Sequence, residues 1–187
     1  MTLVVNMLGG SGIGKSTTAA GLYYNMKLAH KNVELVREYV KILAWQGHEI
    51  GQFDQVNIFG EQCKLEHTLY GKVDYIVTDS PILLAPIYEH FYHNDSMTEG
   101  AAIKFLNKAK ENDVKHLNIL LRRNKPYDPR GRYQTESEAM QVDRMTENFL
   151  FKYNMDYHIV EGPDEERVRK IMEIIDEEKQ KDGREVS

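Results

Sequence analysis

The feature that most constrains this chain is one eight-residue run, Gly9-Gly10-Ser11-Gly12-Ile13-Gly14-Lys15-Ser16. It matches G-x-x-x-x-G-K-[ST] at every fixed position. Its context gives the pattern meaning: an apolar strand, Leu3 to Leu8, is predicted before it and a helix from about Lys15 to His30 after it. A backbone that wraps phosphate oxygens needs positive φ and close approach, which is why glycine recurs. Its amides then point inward, and the helix N-terminus adds positive potential. In this reading Gly9 to Ser16 hold a nucleotide. Lys15 reaches the β and γ phosphates, the Ser16 hydroxyl binds Mg²⁺, and Thr17 donates near the α phosphate. The dinucleotide pattern G-x-G-x-x-G fails, because after Gly10 and Gly12 its third position is Lys15.

The rest of the chain alternates strand and helix. Further strands are predicted at 33–36, 75–78, 116–121 and 157–160. Helical stretches begin near Glu38, Gln52 and Ser80-Pro81, and Asn94-Asp95-Ser96 interrupts the third of them. Thr135-x-x-Glu138 is a capping box opening a helix with Val142, Met145, Phe149 and Tyr153 on one face. Gly162-Pro163 starts a last helix with an apolar stripe of Val168, Ile171, Met172 and Ile175. The expected fold is α/β: a five-stranded parallel sheet sandwiched by helices, with an Arg-rich lid. One domain is expected over 1–187, its lid at about 122–134 and a frayed tail at about 180–187.

Composition limits the alternatives. Hydrophobic residues make up 41% of the 187, enough to bury a core. The single Cys63 excludes an internal disulfide and any multi-cysteine metal site, and on an apolar helical face it reads as packing. No apolar run approaches the roughly 20 residues a membrane span needs. The N-terminus lacks the basic flank and cleavage site of a signal peptide, so a cytoplasmic protein is expected. The 24 Lys and Arg against 29 Asp and Glu, a net charge of −5, disfavour a strongly basic nucleic-acid binder and leave room for a local basic groove.

A nucleotide site does not name a reaction. The base-reading N-K-x-D of guanine-nucleotide switches is missing, since in Asn124-Lys125-Pro126-Tyr127-Asp128 the acid is one place late. Nor does a D-x-x-G follow the third strand, where Asp79 precedes Ser80, Pro81 and Ile82. A small-molecule kinase fits better, with Lys15, Glu38, Asp79 and Arg132 as its catalytic set. Asp79 ends an apolar strand and is placed to hold Mg²⁺, or else caps the next helix. Glu38, just past the second strand, is placed to accept a proton from the acceptor hydroxyl, or else forms a surface ion pair. Arg37 beside it would steady a phosphate or orient Glu38. Arg122, Arg123, Lys125, Arg130 and Arg132 flank two prolines; Arg132 and Arg123 lead as phosphate ligands, against a solvated basic loop. Trp45 and His48 are candidates to stack on or hydrogen-bond the acceptor, with Trp45 otherwise a core residue.

These segments together carry a resemblance. The loop Gly9 to Ser16, Glu34-x-x-Arg37-Glu38-Tyr39, Val73 to Ser80 and Lys125-Pro126-Tyr127-Asp128-Pro129-Arg130-Gly131-Arg132 are similar to the ribosylnicotinamide-kinase-like group of P-loop kinases. That group occurs in bacterial NAD metabolism and in phage genomes. Its phage members include kinases of 5-hydroxymethyluracil within DNA. The resemblance implies ATP with Mg²⁺, a nucleoside-type hydroxyl as acceptor and, for a phage member, the host cytoplasm. The lid departs from the ribosylnicotinamide enzymes, with two prolines and extra arginines where a Trp-containing segment is expected. The reading is therefore transfer of the ATP γ-phosphate to the hydroxymethyl group of 5-hydroxymethyluracil in phage DNA, a DNA modification. The base would be flipped or single-stranded, stacked on Trp45, Tyr39 or Phe53. The alternatives are a kinase of a free nucleoside or nucleotide such as ribosylnicotinamide, and a regulatory ATPase. Monomer and homodimer both remain open, and no membrane partner is expected.

Overall fold

A computed structural model describes residues 1–48, 51–124, 126–130 and 132–185, the side chains of 52, 53 and 182–185 excepted. Lys125 and Gly131, and the Phe53 side chain, lie outside the described residues. Five strands, β1 (Thr2–Leu8), β2 (Val33–Val36), β3 (Tyr75–Thr78), β4 (Val114–Leu121) and β5 (His158–Val160), form one sheet in the order β2-β3-β1-β4-β5. Every pairing is parallel, as the strand–helix alternation predicts. Central β1 is buried along its whole length, so both faces of the sheet are covered there, Thr2 and Asn6 included.

The helices are α1 (Lys15–Leu28), α2 (Val40–Trp45), α3 (Gln52–His67), α4 (Leu84–His93), α5 (Glu99–Glu111), α6 (Glu136–Lys152) and α7 (Asp164–Glu185). On one face of the sheet, Leu3, Val5 and Met7 pack with Leu22 and Met26 of α1 and with Val168, Ile171 and Ile175 of α7. On the other, Leu8 and Leu120 pack with Leu84 and Ile87 of α4 and with Val142, Phe149 and Leu150 of α6. Each such fully buried side chain contributes about 1.5–3 kcal/mol. Cys63 is buried with Ile82 and Ala102, and burial pushes its thiol pKa up to about 12, which suits packing and not reactivity.

Three boundaries differ from expectation for identifiable reasons. β4 begins at Val114, not His116, because Thr2 pairs with Val114 and draws the ladder outward. Ser80 caps no helix: Leu84 N–H bonds the Pro81 carbonyl and α4 starts only there. The last helix continues to Glu185, past the expected fraying point, while 186–187 lie outside the described residues. The Thr135 capping box forms as predicted, with Glu138 N–H donating to Thr135 Oγ1 at 3.3 Å and Thr135 N–H to Glu138 Oε2 at 2.7 Å.

The registry positions the site. Asn6 lies opposite Thr78, and Thr78 opposite Val36, so β3 and β2 end at one level and β1 runs two residues beyond it. The glycine-rich loop, Asp79 and Glu38 leave the sheet side by side. This is the carboxyl edge where open α/β sheets bind ligands.

Candidate active site

The loop after β1 takes positive φ at Gly9 (131°), Gly12 (77°) and Gly14 (103°), where a Cβ would be strained. Gly10 is demanded by space instead. A Cβ there would overlap the Ala139 carbonyl of α6 and lie 3.0 Å from Asp143 Oδ1. Gly10→Ala is therefore expected to cost about 1–3 kcal/mol and to distort the loop, measured as a lower Tm together with weaker ATP binding.

Lys15 is only 9% exposed, and its ammonium donates to the Gly9 and Gly10 carbonyls at 2.7 and 2.9 Å. Burial lowers its pKa, opposed by the nearby charges of Glu38, Asp79 and Asp143. Ser16 and Thr17, the first residues of α1 after Lys15, are exposed.

The loop opens onto a cavity of about 580 Å³. Ser11, Gly12 and Gly14 to Thr17 line its phosphate end. Ile58, Phe59, Ile82, Leu84 and Tyr88 make the other end apolar, with the buried amides of Gln55 and Gln62 among them. Glu38 and Lys41 come from the β2 side, and Arg132, Tyr133 and Gln134 from the Arg-rich segment. The Tyr133 hydroxyl donates to the His48 carbonyl at 2.9 Å, so that segment bridges over to the α2–α3 connection.

The Glu38 carboxyl has a pKa raised chiefly by burial, opposed by Lys15 and raised further by Asp79. Its backbone N–H donates to Asp79 Oδ1 at 2.9 Å. Asp79 is 5% exposed and, unlike Glu38, is not part of the cavity wall. Among the described residues no hydrogen bond is made to Asp79 Oδ2. Nor does any group of three or more His, Cys, Asp or Glu there make a metal cage. The Asp79 carboxylate acts on Lys15, the chain neighbour of the exposed Ser16, and one carboxylate with a hydroxyl suits Mg²⁺, which draws most of its ligands from water and phosphate.

The other expected residues separate. Arg132 lines the cavity, its guanidinium 5.2 Å from the Tyr127 ring centroid and bonded to the Asp128 carbonyl. Arg123 does not line it: its Nε donates to Asp143 Oδ2 at 2.6 Å and its Nη2 to Oδ1 at 3.3 Å. Arg130 is turned to Asp128, and Arg122 to Glu147. Arg37 and Trp45 also lie off the cavity, along a neighbouring groove against α3. Trp45 is 77% exposed, because α2 buries none of its residues. It is neither core nor cavity wall.

Two residues the sequence reading passed over hold the loop from outside. Asp143 Oδ1 accepts the Gly10 N–H at 2.6 Å. Arg167, fully buried, donates through Nη1 to the Ile13 carbonyl at 2.7 Å, and through Nη2 to the Arg122 carbonyl and to Asn124 Oδ1. The one signal for Arg167 is a cation directly beside the apolar stripe of α7. Asp143 carries no comparable mark.

A parallel sheet of this order, with a phosphate loop after β1 and an acid after β3, has the fold of the P-loop NTPases. The chain belongs to the AAA-domain family, whose model matches residues 4–167. No curated protein sequence matches it. Among solved structures it is similar to a deoxyadenosine kinase from M. mycoides with the products dCMP and a flexible dCDP bound, at TM-score 0.63 and 16% identity over 93% of this chain and 99% of that one. The deoxyadenosine kinase with dATP bound gives TM-score 0.58 and 15% identity over 92% and 99%. Among the described residues no helix is long and apolar enough to cross a membrane.

Proposed function

We propose that this protein is a kinase that moves the γ-phosphate of ATP to a hydroxyl of a nucleoside-type acceptor. The observation that carries the reading is one continuous cavity with a phosphate loop at one end, a largely apolar chamber at the other, and Glu38 on its wall near both Lys15 and Arg132. ATP would lie with its phosphates on Gly9 to Thr17, and Lys15 would turn from its loop carbonyls to the β and γ phosphates. Mg²⁺ would be held by Ser16 and, through water, by Asp79, where it neutralises developing phosphate charge. The acceptor hydroxyl gives its proton to Glu38 as its oxygen bonds the γ-phosphorus. The bond from that phosphorus to the β-phosphate oxygen breaks and ADP leaves. A carboxyl with a raised pKa is a better base than an ordinary one. Arg132 supplies a planar cation for the transferring group.

Two acceptors remain in contention. The motif likeness favours 5-hydroxymethyluracil in phage DNA. The bridge from Tyr133 to His48 favours a free nucleoside or nucleotide, because a base still attached to a strand would need that bridge opened. The likeness to a deoxyadenosine kinase fold points the same way. γ-Labelled ATP offered with DNA, with and without 5-hydroxymethyluracil, and with free nucleosides including ribosylnicotinamide, separates them. Label on free nucleosides supports salvage and label on the modified DNA alone supports base modification. Label on neither leaves the acceptor unidentified and favours the regulatory-ATPase reading.

Glu38→Gln is expected to lower the transfer rate about a hundredfold or more. The base must be deprotonated, so the parent rate rises as pH passes upward through the raised Glu38 pKa, and this limb vanishes in the variant. Turnover within about threefold of the parent removes Glu38 from the base role.

A further inference from the structure

Two arginines at the end of β4 meet two carboxylates one helical turn apart on α6. Arg122 is bidentate to Glu147, at 3.0 and 2.7 Å, and Arg123 grips Asp143. These rungs tie together both ends of the Arg-rich segment, its entry from β4 and its exit into α6. The upper rung reaches further. Asp143 Oδ1, already bonded to Arg123, also accepts the Gly10 N–H at 2.6 Å, where Gly10 is pressed against the α6 backbone. Asp143 is close enough to Lys15 to act on its titration, and Arg123 opposes that effect. A carboxylate here puts negative charge beside a loop built for polyphosphate. Its presence requires a compensating cation, and Arg123 supplies it.

We infer that Asp143 and Arg123 are a positioning pair: Asp143 fixes the phosphate loop through the Gly10 amide, and Arg123 cancels its charge instead of touching the nucleotide. This rests on the nucleotide reading above.

The test is equilibrium binding of ATP, ADP and adenosine to the full chain, with Tm recorded for each variant. Arg123→Met leaves a bare carboxylate behind the cradle and is expected to weaken ATP about tenfold, ADP less and adenosine hardly at all. Adding Asp143→Asn removes the charge and keeps an oxygen for Gly10 N–H. The double variant is expected to bind ATP within about threefold of the parent, a rescue that loss of folding would not give. If the double variant binds ATP as weakly as Arg123→Met, Arg123 contacts phosphate directly and the inference fails. It also fails if Arg123→Met alone binds ATP normally. A parent protein that binds no ATP overturns the nucleotide reading itself, before any variant is made.

Discussion

Lys15→Met is expected to lose ATP-dependent transfer by at least about a hundredfold, because no other cation among the described residues lies within the phosphate loop. The same variant also removes a buried cation, against the loss of its two hydrogen bonds to the Gly9 and Gly10 carbonyls. Lys15 is charged in a site whose burial lowers its pKa, so the folded state holds that proton less tightly than the unfolded state does. The cost is present at neutral pH and fades as the pH rises toward the ordinary lysine range. The methionine variant should therefore gain most, relative to the parent, near neutrality, and that advantage should shrink at alkaline pH. Denaturant melts at two pH values, beside a transfer assay, measure both effects. Retained transfer would remove the glycine-rich loop from the chemistry. Lost transfer with collapsed stability would make Lys15 a structural residue held by the Gly9 and Gly10 carbonyls.

Arg167→Met should do the reverse, costing stability first and activity as a consequence. Arg167 is fully buried and its hydrogen bonds go to neutral acceptors, the Ile13 and Arg122 carbonyls and the Asn124 side chain, with the Asp164 carboxylate near enough to favour its charge. Methionine fills much of the volume and leaves those acceptors without a donor. A buried acceptor left unpaired costs roughly 1–3 kcal/mol. Part of this is offset by removal of a cation whose burial is itself unfavourable, as its lowered pKa shows. A net loss of about 3 kcal/mol is expected, which in a chain of this size lowers Tm by roughly 6–12 °C. ATP at saturation should recover part of the loss, since the ligand binds only the folded loop. An unchanged Tm would mean that water replaces the guanidinium without penalty.

These two residues mark where sequence reading succeeds and where it stops. Lys15 is legible because the phosphate loop is local: eight consecutive residues between a strand and a helix contain the whole device. The strands at 33–36 and 75–78, the Thr135 capping box and the α7 stripe are legible for the same reason, since each depends on spacing within one segment. The alternation of these segments also implies a parallel sheet, because parallel neighbours need crossover helices.

Partner choice is different. Arg123 and Arg132 are both arginines of one basic stretch, and nothing local tells them apart. One turns to Asp143 on α6 and the other lines the cavity, because α6 returns beside the loop only after β4 has docked next to β1. Trp45 has the composition of a core or stacking residue, yet α2 buries nothing and leaves it in solvent. Arg167 stands 154 residues from Ile13, and only the packing of α7 on α1 brings its guanidinium behind the loop. The sequence by itself determined the phosphate loop, the parallel α/β sheet and most helix limits, because those follow from short-range periodicity and backbone chemistry. The tertiary structure alone decided which charges face the cavity and which brace its wall, because that choice is made by elements distant in the chain that compete for the same buried partners.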